Sequence, residues 1–317
     1  MDYIKILVPS DGSEHSKHVI RHAIQFARHF DVSEVRVLSV LDTGEIEEFK
    51  RIDATILKDN GYSHPELFES ENIDSILNKH AKETLTHLKK EIESTPKISE
   101  GVKIKFSMRE GEPSEEIIEE AEDFEADMII MGSLRLGGRF AIGSVAAQVV
   151  RASKIPVMIV GPNSKFADFK KILVPVDMSD MAELPVKVAA CIARRLEADI
   201  KILHVVNESA VRYFSSITWF DDDAKDELVA EYVAAAEKHL EEISDITAGL
   251  PVKKIVKTGD PVDMILKEAE KDCQLIVMYT RGKGHIGRAL IGSITGGVIN
   301  QARVPVLLVK EKVWVEY

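Results

Sequence analysis

A long internal repeat constrains this chain more than any other feature. Lys5-Ile6-Leu7-Val8-Pro9-Ser10-Asp11-Gly12-Ser13 returns as Lys171-Ile172-Leu173-Val174-Pro175-Val176-Asp177-Met178-Ser179. Gly111-Glu112-Pro113 returns as Gly259-Asp260-Pro261, and Ile142-Gly143-Ser144-Val145 as Ile291-Gly292-Ser293-Ile294. Ile155-Pro156-Val157-Met158-Ile159-Val160 returns as Val304-Pro305-Val306-Leu307-Leu308-Val309. Asp11 and Asp177 are 166 positions apart, but Gly143 and Gly292 only 149. The first copy therefore carries about 17 extra residues, which fall between Asp42 and Gly101. A period this long means two domains and not a stacked solenoid. Residues 1–162 and 168–317 are the expected domains, joined by the turn-rich Gly161-Pro162-Asn163-Ser164-Lys165. A chain of 317 residues gives each copy enough length for its own core.

Each copy alternates short apolar runs with amphipathic stretches. In the first copy the runs Ile4–Val8, Val35–Leu41, Val102–Met108, Asp127–Met131 and Val157–Val160 read as buried strands. In the second they are Ile172–Val176, Ile200–Val206, Val252–Val256, Leu275–Met278 and Val306–Val309. After Ser13, a candidate N-cap, Val19, Ile20, Ala23, Phe26, Ala27 and Phe30 recur at helical spacing. Ile73, Ile76, Leu77, Ala81, Leu85, Leu88 and Ile92 mark a long amphipathic helix, and Ser114 reads as the cap of another. The expected class is α/β: two tandem open-sheet domains, each a five-stranded parallel sheet flanked by helices. Ligands of such sheets bind beyond the carboxyl ends of the strands, where the strand order reverses. That rim carries Pro9, Asp11, Val40 and the loop after Met131 in the first copy. In the second it carries Pro175, Asp177, Val205 and the loop after Met278.

On this rim Gly143-Ser144 and Gly292-Ser293 each precede a helix. The glycine lets a ligand approach the backbone, the serine offers a cap, and the N–H groups of the first turn suit a phosphate. A capped helix without ligand is the simpler reading, but the repetition and a glycine-rich loop upstream of each favour the phosphate. Those loops are Gly132-Ser133-Leu134-Arg135-Leu136-Gly137-Gly138-Arg139 and Tyr279-Thr280-Arg281-Gly282-Lys283-Gly284-His285-Ile286-Gly287. Asp11 and Asp177 end their strands where a carboxylate can accept from a ribose hydroxyl or an adenine amino group, or simply cap the next helix.

These motifs resemble those of the universal stress protein family, and the resemblance covers nearly the whole chain. Nucleotide-binding members show Gly-x2-Gly-x9-Gly followed by Ser or Thr, an Asp closing the first strand and a Val closing the second. Gly282, nine residues, then Gly292-Ser293 match the latter part, with Tyr279 in place of the leading glycine. In the first copy Gly132 matches the leading glycine, Arg135 replaces the second, and the loop to Gly143 is two residues short. The resemblance implies ATP or AMP as ligand, with Mg2+ accompanying ATP. It places phosphates on Gly143-Ser144-Val145 and Gly292-Ser293-Ile294, and the adenine on the backbone of Val40 and Val205. Met131, Gly132 and Gly282 border the ligand. The Tyr279 ring is a candidate to pack near the ribose, and Arg281, Lys283 and Arg288, or Arg135 and Arg139, either add positive charge to the phosphates or are simply solvated loop charges. It also implies pairing through the last strand, here between the two copies of one chain, or in a homodimer. The second copy is expected to bind the tighter.

The net charge of −12 argues against nucleic acid or an anionic membrane as partner. No apolar run reaches the ~20 residues of a membrane helix, and the N-terminus has no signal-peptide pattern, so a cytoplasmic protein is expected. Cys191 and Cys273 read as packing residues. Gly282-x-Gly284-x-x-Gly287 follows a fourth strand, not a first, and no acidic residue closes a strand ~20 positions on, so it is set aside as a dinucleotide fingerprint. Gly284-His285-Ile286-Gly287 is a chance echo of a synthetase signature, and no P-loop is present. His204 reads as a packed histidine, Asp221-Asp222-Asp223 as a solvated helix cap, and Trp219-Phe220 as a partner surface or a loop folded back on the core. No general base is evident beside the phosphate loop, so ligand-dependent regulation in a stress response is favoured over turnover. A slow ATPase and a ligand-free assembly scaffold are the alternatives.

Overall fold

The computed structural model describes residues 4–30, 32–44, 83, 86, 88–90, 101–133, 135–136, 139–140, 142–164, 168–217, 222–280 and 291–310. The chain divides into two compact units, Met1–Met131 and Gly132–Tyr317.

The first unit is built on β1 (Ile4–Pro9), β2 (Val32–Asp42), β3 (Ile104–Gly111) and β4 (Met128–Gly132), in the order β4-β1-β2-β3 with all pairs parallel. Helix α1 (Glu14–Arg28) follows β1 and α2 (Pro113–Asp123) follows β3. Five of the six apolar positions expected at helical spacing lie in α1 and Phe30 lies just beyond it; all six are buried, and Ser13 caps the helix by accepting from the Ser16 amide. The cap of α2 is not Ser114. Glu112 accepts from the Glu115 amide, and Pro113 opens the helix, where its missing N–H is not needed. Of the long helix expected over Ile73–Ile92, only Leu88 among its seven apolar positions is described, helical and buried; the others lie outside the described residues.

The second unit opens with a two-residue hairpin, β5 (Arg135–Leu136) and β6 (Arg139–Phe140), then α3 (Ser144–Ala152) and β7 (Val157–Val160). The second copy follows as β8 (Lys171–Val176), α4 (Glu183–Leu196), β9 (Asp199–Val206), α5 (Glu208–Ile217), α6 (Asp222–Ser244), β10 (Val252–Thr258), α7 (Pro261–Asp272), β11 (Leu275–Tyr279), α8 (Ser293–Gln301) and β12 (Val306–Val309). Its strands lie in the order β10-β9-β8-β11-β12, all parallel, which is the expected five-stranded sheet. The order reverses at β8, between β9 and β11, and the cavity described below opens there.

β7, the last strand of the first copy, pairs antiparallel with β12, the last strand of the second, with Val306 opposite Ile159 and Leu308 opposite Val157. All the side chains of both strands are buried. This pairing is why β7 groups with the second compact unit. The turn at 161–164 is closed by Ser164, whose hydroxyl accepts from the Gly161 amide at 3.0 Å.

Both copies carry an ion pair in the same place. Arg36 on β2 meets Glu120 on α2 at 3.1 Å, and Lys201 on β9 meets Glu268 on α7 at 2.8 Å. The repeated Leu7 and Leu173 stand opposite Arg36 and Lys201 in the strand register. Neither thiol is paired: Cys273 is buried and Cys191 half-buried, and burial pushes the Cys273 thiol up to about 12.

Candidate nucleotide site

Three element ends meet at the reversal in the second copy. β8 stops at Val176, because Met178 and Ser179 turn away. The Asp177 carboxylate accepts from the Ser179 amide at 3.1 Å and holds that turn. β11 stops at Tyr279. α8 begins at Ser293, with Gly292 as its N-cap in extended backbone and no side chain capping the helix.

The serine reading needs correction here. Ser293 and Ser144 are first-turn residues, and the glycines before them are the caps, without side-chain hydrogen bonds in either copy. A glycine cap leaves room and offers no oxygen to the first-turn amides. The first intrahelical bond runs from the Gly296 amide to the Gly292 carbonyl at 2.8 Å. The amides of Ser293, Ile294 and Thr295 therefore precede the helical ladder, at the positive end of the helix dipole.

Between these ends lies a cavity of about 330 Å3, within the ~300–1,000 Å3 of ordinary ligand pockets. Pro175, Asp177, Val205, Gly292, Ser293 and Ile294 all line it, as the sequence places them. Gly282, with Arg281, Lys283 and Arg288, lies outside the described residues. Tyr279, which replaces the family's leading glycine, also borders the cavity. Several lining residues escaped the sequence reading, among them Ser179, His204, Pro261 and Thr295. Pro261 had a signal, since it closes the repeated Gly-Asp-Pro motif. The sequence reads His204 as a packed histidine; it is half-buried and lines this space.

The first copy's candidates fall in both compact units. In the first unit Pro9 ends β1, Val40 pairs with Arg109, and Met131 is buried near the end of β4. The Asp11 carboxylate accepts from the Ser13 amide at 3.0 Å. Burial pushes Asp11 up, but hydrogen bonds from Ser13 and Ser16 outweigh it and hold the carboxyl below its usual value. In the second unit Gly132 is a half-buried strand residue, Gly143 is buried, and Ser144 and Val145 lie in the first turn of α3. The side chains of Arg135 and Arg139 lie outside the described residues, although their backbones form the hairpin.

Among the described residues no group of three or more His, Cys, Asp or Glu is placed to hold a metal ion, and no helix is long and apolar enough to cross a membrane.

The described geometry has counterparts in known proteins. Universal stress protein MJ0577 of Methanocaldococcus jannaschii is 32% identical over 158 residues, 45% of this chain and 96% of that protein. Universal stress protein Rv2623 of Mycobacterium tuberculosis is 26% identical over 198 residues, 60% of this chain and 64% of that protein. The crystal structure of a universal stress protein from Archaeoglobus fulgidus superposes with a TM-score of 0.63 over 96% of this chain and 98% of that one. At 23% identity that likeness bears on fold alone. The model of the universal stress protein family matches residues 2–161 and again 168–310, so the chain belongs to the universal stress protein family in its tandem form.

Proposed function

We propose that the chain binds an adenine nucleotide, ATP or AMP, and acts in the stress response through ligand-dependent loop order or partner binding. One observation carries this reading: the cavity at the strand reversal of the second copy, where Asp177 and Val205 face the uncapped first turn of α8. The phosphates take the amides of Ser293 and Ile294, the ribose and base lie toward Asp177, and the Val205 backbone meets the adenine. Mg2+, where ATP is the ligand, comes with the triphosphate. In the first copy the resemblance names Pro9, Asp11, Val40 and Met131 in the first unit, and Gly132, Gly143, Ser144 and Val145 in the second. The two copies, 1–162 and 168–317, act as separate domains of a cytoplasmic protein, and their pairing stands in for the family's dimer.

Ser293→Pro tests the phosphate site. Proline is favoured at the first helical position and Gly292 is already extended, so the helix survives while one N–H donor is lost. Calorimetry with ATP, AMP and non-adenine controls should show wild-type binding, and an affinity weakened about 10- to 100-fold in the variant, the worth of one hydrogen bond to a charged group. Wild-type protein that takes up no adenine nucleotide at millimolar concentration would sink the proposal.

A further inference from the structure

His204 precedes Val205 on β9 and lines the cavity. Its Nδ1 stands 3.0 Å from the backbone oxygen of Val176, its partner in the last register pair of β8 and β9. A carbonyl oxygen only accepts, so Nδ1 carries the ring proton. That hydrogen bond fixes the neutral tautomer and leaves Nε2 with a lone pair and no proton. Burial disfavours the imidazolium; the Val176 carbonyl and Asp177 oppose this, and His239 on α6 reinforces it. The balance holds the ring below its ordinary value. At neutral pH His204 is therefore an acceptor of fixed direction on the wall of the cavity.

We propose that His204 is a specificity-determining residue: its Nε2 accepts from the exocyclic amino group of a 6-aminopurine and rejects a 6-oxopurine. The inference rests on the nucleotide reading above. Adenine presents an N–H donor at position 6, whereas hypoxanthine presents a carbonyl oxygen there. Against Nε2 that oxygen sets two acceptors face to face and leaves both without a proton. A site that hydrogen-bonds its ligand discriminates strongly against an analogue that cannot answer, because its own polar group is then left unpaired.

The test compares ATP with ITP, and AMP with IMP; each pair exchanges the 6-amino group for a 6-oxo group and the N1 lone pair for an N1–H, so the change of ratio in His204→Gln isolates the contact at position 6. Wild-type protein should prefer the adenine member at least tenfold. In His204→Gln the amide can turn either its oxygen or its nitrogen to the base. The ratio should fall at least fivefold, with ITP binding no worse than in wild type. A second readout needs no variant. As pH falls below the ordinary imidazole range the ring gains an Nε2–H donor, so wild-type preference should narrow while that of His204→Gln stays flat. His239→Asn separates the neighbouring imidazole, and should keep the pH trend. Equal wild-type affinity for ATP and ITP, or an unchanged ratio in His204→Gln, overturns the inference and leaves nucleotide binding standing. Wild-type protein that binds none of the four nucleotides overturns the functional reading itself.

Discussion

Lys201 stands in a buried strand with only 8% of its side chain exposed, and the Glu268 side chain it meets is 4% exposed. Lys201 also reaches Asp272 at 2.6 Å, and Glu268 reaches Lys271 at 2.5 Å. Removing one member leaves a charge in low dielectric with its lesser partner. Lys201→Met and Glu268→Leu should each cost about 3 kcal/mol, the low end for a broken buried pair, because that second partner remains. The double variant should recover most of the loss, since two apolar residues of similar volume replace the pair. Urea unfolding of all three variants measures this, and purely additive losses would contradict it. Glu34 gives a pH-dependent counterpart. Burial pushes its carboxyl up, but Lys105, Lys103 and Arg36 outweigh this and hold it at about 2. Because its folded value lies below the usual 4.5, its contribution is whole above about pH 5 and drains away as pH falls toward 2. Glu34→Gln should flatten that acid limb in a melting-temperature profile and change little in its slope at neutral pH. None of these charges was legible in the sequence. Lys201 interrupts an apolar run without breaking it, and its partner lies 67 positions on. The strand-end position of Asp11 and Asp177 was legible because the carboxylate repeats there, and each holds the turn that follows by accepting from a serine amide.

At the scale of the element, the strands were the readable part. A strand buried on both faces needs an unbroken apolar run, so Val157–Val160 and Val306–Val309 match to the residue. The caps were less readable, because proline and glycine at a helix start shift the boundary by one or two positions without changing the apolar period. The β5–β6 hairpin left no signal, since two-residue strands have no period. Helix α8 offers a sharper test of packing. It contains Gly296 and Gly297, each poor for helix stability. A Cβ at Gly296 would meet nothing closer than the Ile291 side chain at 3.9 Å. A Cβ at Gly297 would stand 2.8 Å from one methyl of Val262 and 3.1 Å from the other, on the neighbouring α7. Val262 is β-branched and cannot swing both away. Gly296→Ala should therefore raise stability by up to about 1 kcal/mol. Gly297→Ala should lower it, and pairing it with Val262→Ala should restore at least half of the loss. Thermal melts of the three variants decide this; a stabilising Gly297→Ala would show that α7 and α8 can part freely.

For the whole molecule, duplication matters because β7 and β12 need each other. Val157, Met158 and Ile159 face Leu308, Leu307 and Val306 in register, and all six side chains are at most 2% exposed. A copy expressed alone would end in a bare strand with unpaired N–H and C=O groups and an apolar face, which is a template for pairing. The partner most like the lost one is a second copy of the same half, joined about a two-fold axis. Two asymmetric ties favour the mixed pair over a homodimer of the first copy. The Ile142 amide donates to Asn300 at 2.7 Å, whereas the position equivalent to Asn300 in the first copy is Arg151, which has no acceptor to offer. Lys310 reaches the Val150 carbonyl at 2.5 Å, whereas its equivalent is Gly161, which has no side chain to do so. Separately expressed 1–162 and 168–317 should each form dimers and exchange into a one-to-one complex on mixing, seen by sedimentation equilibrium or native mass spectrometry. Asn300→Leu with Lys310→Met should erase the advantage of the mixed pair over the first half's own dimer without abolishing either. Halves that stay monomeric and folded at tens of micromolar would mean that the strand pairing does not hold the copies together.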